Sequence, residues 1–323
     1  MKRIITAIVV LLSVSVFAQD AHFSQYFSSA LYTNPALTGQ INGNFRVGGI
    51  YRTQWNANGD AYTSASVSAD TRLDNGFGVG VAVTDLITGD INYSNINFVL
   101  SGSYDLAAKT KSTNHLVFGL QLGFINRSIN DGSVTVPDQW VPGFGAVNPV
   151  NEDFGSLNST TPDANFGVLW FNGKSSLKWT PFVGASVFHL IPVDDSFNQD
   201  EKLPMRFQVH GGARYRTNSN IDITPHGSIM YQKGAYNGIF GANVSYGLID
   251  TKLRLEGGLA YRLNDALVPY AGVIYEDFQF GVTYDGNLSG LSEIGRRKSA
   301  LEFSLIYTNR KNSYQQKYIC PRL

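Results

Sequence analysis

Between Leu253 and Tyr261 the chain alternates without interruption. Leu253, Leu255, Gly257, Leu259 and Tyr261 share one face, and Arg254, Glu256, Gly258 and Ala260 share the other. A period of two belongs to a half-buried β-strand and to no helix. The same pattern runs through Leu116–Phe124, Phe278–Tyr284 and Leu301–Tyr307. In Leu203–Tyr215 it sets Leu203, Met205, Phe207, Val209, Ala213 and Tyr215 against Pro204, Arg206, Gln208, His210, Gly212 and Arg214. These runs are longer than the ~5–6 residues of an ordinary soluble strand and close to the ~9–11 that a tilted membrane strand needs. Fourteen of them begin near residues 44, 61, 77, 93, 114, 164, 177, 203, 221, 236, 252, 266, 278 and 299. The expected fold is therefore all-β, a transmembrane antiparallel β-barrel of about 14 strands.

The links between runs sort themselves. Those after even-numbered runs are short, such as Glu276-Asp277, whereas Ser128–Asp163, His189–Lys202 and Asn287–Lys298 follow odd-numbered ones. Outer-membrane barrels have short periplasmic turns and longer outside loops. Energy sets which face looks where. An arginine facing lipid at mid-membrane costs ~2–4 kcal/mol, so the face with Arg46, Arg206, Arg214 and Arg254 lines the interior and the Leu/Phe/Tyr face meets lipid. Inward glycines at 78, 80, 119, 123, 212, 258 and 281 leave room in the lumen. A barrel of this size is too wide for its own side chains to fill. Residues 19–43 and the Pro-rich loop Ser128–Asp163 are the candidate fillers.

Met1–Ala18 reads as a secretory leader: Lys2 and Arg3, an apolar core from Ile4 to Val16, and a small-residue cleavage site ending at Ala18. The expected order is leader 1–18, irregular segment 19–43, barrel 44–310 and basic tail 311–323. Only 15% of residues are charged and the net charge is zero, which excludes the basic excess of a nucleic-acid binder. The single cysteine, Cys320, excludes an intramolecular disulfide framework and a cysteine-cluster metal site. Gly76-Phe77-Gly78-Val79-Gly80 lies within an alternating strand with no helix after it, so it is barrel lining and not a phosphate loop. The histidines (His22, His115, His189, His210 and His226) have neither mutual spacing nor carboxylate partners that suggest metal or catalysis. Glu152-Asp153 and Asp194-Asp195 read as solvated loop acids. No nucleophile–base signature is visible, and neither an enzyme activity nor a cofactor is expected.

Asp20–Gly39, DAHFSQYFSSALYTNPALTG, carries Phe23, Tyr26, Phe27 and Tyr32 with no sustained period, and Asn34-Pro35 marks a turn. It resembles the opening signature of the PorP/SprF family. The likeness continues through Arg46–Trp55 (RVGGIYRTQW), Gly119–Ile129 (GLQLGFINRSI), Phe188–Pro192 (FHLIP), Leu203–His210 (LPMRFQVH), Asn264–Val268 (NDALV) and Ile319–Leu323 (ICPRL). Leu323 departs from the aromatic expected at the end. The resemblance implies a non-enzymatic outer-membrane component of type IX secretion and gliding. It would dock a secreted adhesin or its C-terminal domain, or periplasmic ring proteins and a peptidoglycan-binding lipoprotein. The alternative is a transport channel for small or hydrophobic solutes. The residues expected to contact a partner, or to seat the N-terminal segment in the lumen, are His22, Phe23, Gln25, Tyr26, Tyr32, Asn34, Pro35, Arg52, Trp55, Arg206, His210, Arg214, Arg254, Cys320 and Arg322.

Overall fold

The computed structural model describes residues 20–54, 62–88, 93–110, 112–129, 140–141, 143–147, 158–174, 176–195, 198–217, 220–288 and 299–310. Fourteen antiparallel strands form one closed barrel. They are β1 (Phe45–Gln54), β2 (Tyr62–Arg72), β3 (Phe77–Thr88), β4 (Tyr93–Asp105), β5 (Asn114–Ser128), β6 (Asn158–Asn172), β7 (Trp179–Phe188), β8 (Arg206–Arg216), β9 (Ile221–Gln232), β10 (Ala235–Gly247), β11 (Leu253–Arg262), β12 (Ala266–Tyr275), β13 (Phe278–Asn287) and β14 (Ala300–Thr308). Each pairs with its neighbour in sequence. The ring closes where β1 pairs with β14, from Arg46 opposite Thr308 to Gln54 opposite Ala300. Closure satisfies the backbone of the first and last strands, which hydrocarbon could not.

The alternation sets the faces as expected. Along β12 every residue switches between buried and exposed. The outward positions are a continuous apolar band, with Val67 and Leu100 each 59% exposed and Leu122 55% exposed. A surface this apolar marks a membrane or partner interface. Aromatic rings collect at both rims. Phe45 and Phe278 flank Tyr307, and Trp179 meets Tyr215, at the short-turn end. Tyr231 contacts Phe207 and Tyr236 at the long-loop end. These are the girdles expected where the barrel wall leaves the hydrocarbon. By the loop-length rule the short-turn end faces the periplasm.

Two strand starts differ from expectation. β6 begins at Asn158 rather than near Ala164, so Pro162 lies inside it. There β6 pairs only with β5, since its ladder with β7 begins at Phe166. An overhanging edge does not need the amide that proline lacks. The intervening loop contains a small hairpin, Trp140–Val141 against Gly145–Ala146. β8 begins at Arg206, not Leu203. Leu203 is buried, with its amide on the Val193 carbonyl, instead of facing lipid. Alternation stops at Pro204 because the chain there belongs to the loop.

Leu100→Arg, at mid-wall, is expected to cost ~2–4 kcal/mol, and Leu106→Arg, in a short turn, only ~0–1 kcal/mol. Denaturant unfolding from lipid vesicles measures both. Equal costs would mean that this face does not meet hydrocarbon.

Candidate functional site

The N-terminal segment is short turns joined end to end: a 3₁₀ turn at Tyr26–Ser28, one α-helical turn at Ala30–Thr33 and a second 3₁₀ turn at Pro35–Leu37. Pro35 forces Asn34 into an extended conformation, and the Asn34 side chain accepts from the Ala36 amide at 2.8 Å. Gly39 leaves the last turn at φ +68°, a region open to glycine. Such a segment has no ladder of its own, so its polar backbone must find partners on the wall. It does so from end to end. Asp20 lies at the long-loop end, where its amide donates to Gln232 Oε1 (2.9 Å), and Asn44 lies at the short-turn end, paired with Asn309. Gln25, Asn34, Ala36 and Thr38 are completely buried.

Two charged clusters hold the upper part. In the first, Arg52 pairs with Asp285 (2.7 Å) and Glu302 (3.2 Å), and Arg262 pairs with Asp285 (3.1 Å) and Asp265 (3.2 Å). The segment completes this cluster. The Ser24 and Gln25 amides donate to the two Glu302 oxygens at 2.9 and 2.6 Å, and Ser24 Oγ donates to Asp285 while accepting from both arginines. Arg262 also donates to His22 Nε2 at 3.1 Å. In the second cluster His189 lies between Asp20 (2.7 Å) and Asp163 (3.0 Å), and Arg206 pairs with Asp20 at 3.2 Å. The Arg206 guanidinium lies between the rings of Tyr32 and Phe188, 4.3 and 3.9 Å from their centroids, and donates to the Tyr32 carbonyl. Burial alone would lower the His189 pKa. The Asp20 and Asp163 carboxylates overcome that and raise it to about 9. Burial likewise favours neutral Asp20, but His189 and Arg206 hold its pKa below the usual carboxylate range.

The middle is packed and hydrogen bonded. Leu31, Ala36 and Leu37 join Val117, Leu169, Phe171 and Phe182 of the wall in one apolar cluster. Phe27 packs edge-on to Tyr270, and the Tyr26 hydroxyl is bonded to His226 Nδ1 at 2.9 Å. Asn34 Nδ2 reaches the Val168 carbonyl (3.0 Å) and His210 Nε2 (3.1 Å). Gln121 donates to the Leu31 carbonyl, and Ser186 to that of Thr33. A Cβ at Gly119 would collide with the backbone of Pro35 and Ala36, and one at Gly167 with the Asn34 side chain. At the short-turn end Asp70 accepts from the Gly39 amide and pairs with Arg46.

Of the residues expected to act together, His22, Phe23, Gln25, Tyr26, Tyr32, Asn34, Pro35, Arg52, Arg206 and His210 meet along this interface. Phe23 stacks edge-on to Tyr32, and Pro35 lies against Gly119. Arg254 takes another role, pairing with Asp222 (3.0 Å) on the wall. Arg214 makes neither a side-chain hydrogen bond nor an ion pair among the described residues. Trp55, Cys320 and Arg322 lie outside the described residues, as do the leader, Glu152-Asp153 and the tail. Reading from sequence missed Arg262, Asp20 and Asp163 as anchors. Arg262 and Asp163 are at or near strand ends, which alternation does not rank, and Asp20 opens the N-terminal segment, outside any strand. That reading also found no carboxylate partner for His189, which has two in Asp20 and Asp163.

A profile of the PorP/SprF family, type IX secretion system membrane proteins, matches residues 15–307. The chain belongs to this family. It is therefore an outer-membrane component of type IX secretion. No curated protein matches it in sequence. Among solved structures it is similar to a deletion variant of the monoaromatic hydrocarbon channel TodX of Pseudomonas putida (TM-score 0.52, 12% identity, 87% of this chain and 94% of that one). It is also similar to the monoaromatic hydrocarbon channel CymD (0.51, 11%, 87% and 92%) and to the Ralstonia pickettii toluene transporter TbuX (0.50, 10%, 87% and 94%). At these identities the likeness is one of fold.

Glu302→Gln removes a completely buried carboxylate and leaves the buried Arg52 to share Asp285 with Arg262. It is expected to destabilise the seated segment by ~3–5 kcal/mol, read as faster proteolysis within residues 20–43 while the barrel keeps its heat-modifiable gel mobility. A protease-resistant segment would refute the anchoring role. Because the His189 pKa is raised in the closed site, its contribution is complete below pH ~6.5 and is lost as pH rises through about 9. Hydrogen exchange of residues 20–24 is expected to stay flat from pH 5 to 6.5, after correction for the intrinsic rate, and then to accelerate. His189→Gln should abolish that step, and a profile that is flat throughout would sink the assignment.

Proposed function

We propose that this protein is a non-enzymatic docking platform whose lumen is plugged by its own N-terminal segment, so that its surfaces at the two rims bind proteins and its interior passes no solute. The observation that carries this reading is the seating of residues 20–41. They are tied to the wall by two buried charged clusters and by hydrogen bonds along the whole length of the barrel. A passage for solutes would not need its lumen sealed with ion pairs that are costly to break. The long-loop rim, with the 129–157 loop, suits a secreted surface protein or its C-terminal domain. The short turns and the tail suit periplasmic ring proteins and a peptidoglycan-binding lipoprotein. Cleavage of the leader near Ala18 would leave the new amino terminus beside Asp20, at the outside mouth and within reach of whatever docks there.

The test is crosslinking in native outer membrane, mild-detergent purification and mass spectrometry, paired with conductance of the pure protein in planar bilayers. The intact protein is expected to be silent, to conduct once residues 20–41 are deleted, and to bring down type IX secretion components or a surface adhesin. Steady conductance by the intact protein with no crosslinked partner would replace the platform with a channel for small or hydrophobic solutes.

A further inference from the structure

Below Tyr26 and Phe27, toward the short-turn end, the lumen keeps a cavity of about 50 Å³. Its floor is aromatic, formed by Tyr26, Phe27 and Phe182. Its wall contains Arg214, and its charges are unevenly shared. Asp222 is occupied by Arg254 (3.0 Å) and is also within 3.6 Å of Arg216. Glu256, on the facing wall, accepts from the Tyr270 hydroxyl (2.9 Å) and from Gln279 (3.3 Å). Arg214 shares the cavity wall with Asp222 and is acted on by its charge, but makes no ion pair or side-chain hydrogen bond of its own among the described residues. Every other inward arginine discussed above is paired. Three arginines (Arg214, Arg216 and Arg254) thus stand against two acids (Asp222 and Glu256), and Arg214, the one without an ion pair, is part-buried and borders open space.

We infer that this cavity is a carboxylate-binding site, filled from the periplasmic side by an acidic residue or chain terminus of a bound polypeptide, with Arg214 as the clamp. A guanidinium is a planar fork that matches a carboxylate with two parallel hydrogen bonds, and such charge-assisted pairs are the strong ones. The size admits a carboxyl group and little more. Lipid is remote because the cavity is on the inner side of the wall, and a bulky headgroup does not fit. The source of the carboxylate rests on the docking-platform reading, whereas the site itself rests only on the geometry.

The test uses the full-length mature protein in lipid nanodiscs and three fluorescent peptides of Gly-Ser repeats. One carries an internal Glu and an amidated end, one carries Gln in that place, and one has no acid but a free C-terminal carboxylate. Binding of the Glu peptide or of the free-terminus peptide, competed by acetate and absent for the Gln peptide, supports the site and tells side chain from terminus. Arg214→Gln should weaken that binding about tenfold or more, and Arg214→Lys should recover part of it. Heat-modifiable gel mobility checks that both variants are folded. Equal binding of all three peptides, no binding at all, or an unaffected Arg214→Gln variant overturns the inference. Crosslinked secretion partners obtained alongside such a failure would leave the platform reading standing.

Discussion

Everything in this molecule depends on the demand that no backbone amide or carbonyl be left unpaired in hydrocarbon. A sheet meets that demand only when its first strand finds its last. The ladder from Arg46–Thr308 to Gln54–Ala300 is therefore the condition for the other pairings to exist in a membrane. Closing fourteen strands also creates an interior that wall side chains alone cannot fill. The N-terminal segment answers the second problem with groups that the first leaves inside. Inward glycines at 119 and 167 admit its backbone, while inward polar side chains such as Gln121, Ser186 and Asp70 satisfy it.

Where the segment lies against the wall the contacts resemble those of a protein core, with a polar difference. Soluble cores bury few charges, but here Arg52, Arg262, Asp285 and Glu302 lie together and nearly sealed. Two cations face two anions, and the main-chain amides of Ser24 and Gln25 take up both Glu302 oxygens. Buried pairs of this kind give little net stability but penalise any arrangement that separates them. They specify one seat for the segment, which apolar packing of Leu31 and Leu37 alone would leave free to slide. The family membership places this barrel in type IX secretion.

The sequence was legible where a local rule applied at every residue. Alternation set the faces of β5, β11 and β13 because a one-residue slip would move every side chain to the wrong solvent. It failed at Leu203 and at Pro162, where tertiary pairing and not periodicity decides whether a residue belongs to the wall. Phe23, Tyr26 and Asn34 stood out because aromatics and an Asn-Pro turn without periodicity need anchors. Arg262 and Asp163 did not, because a charged residue near a strand end looks the same whether it meets water or a buried partner.

By itself, then, the sequence determined the architecture: strand number, which face meets lipid, and which end carries the longest loops. Period, length and the cost of charge in hydrocarbon are properties of each strand alone. Only the tertiary structure decided what the inward face is for. Pairs such as Ser24 with Asp285 are 261 residues apart, and Asn34 with His210 are 176. No local pattern records such distances. They are created when the ring closes around the segment, and the groups left paired or unpaired inside are known only then.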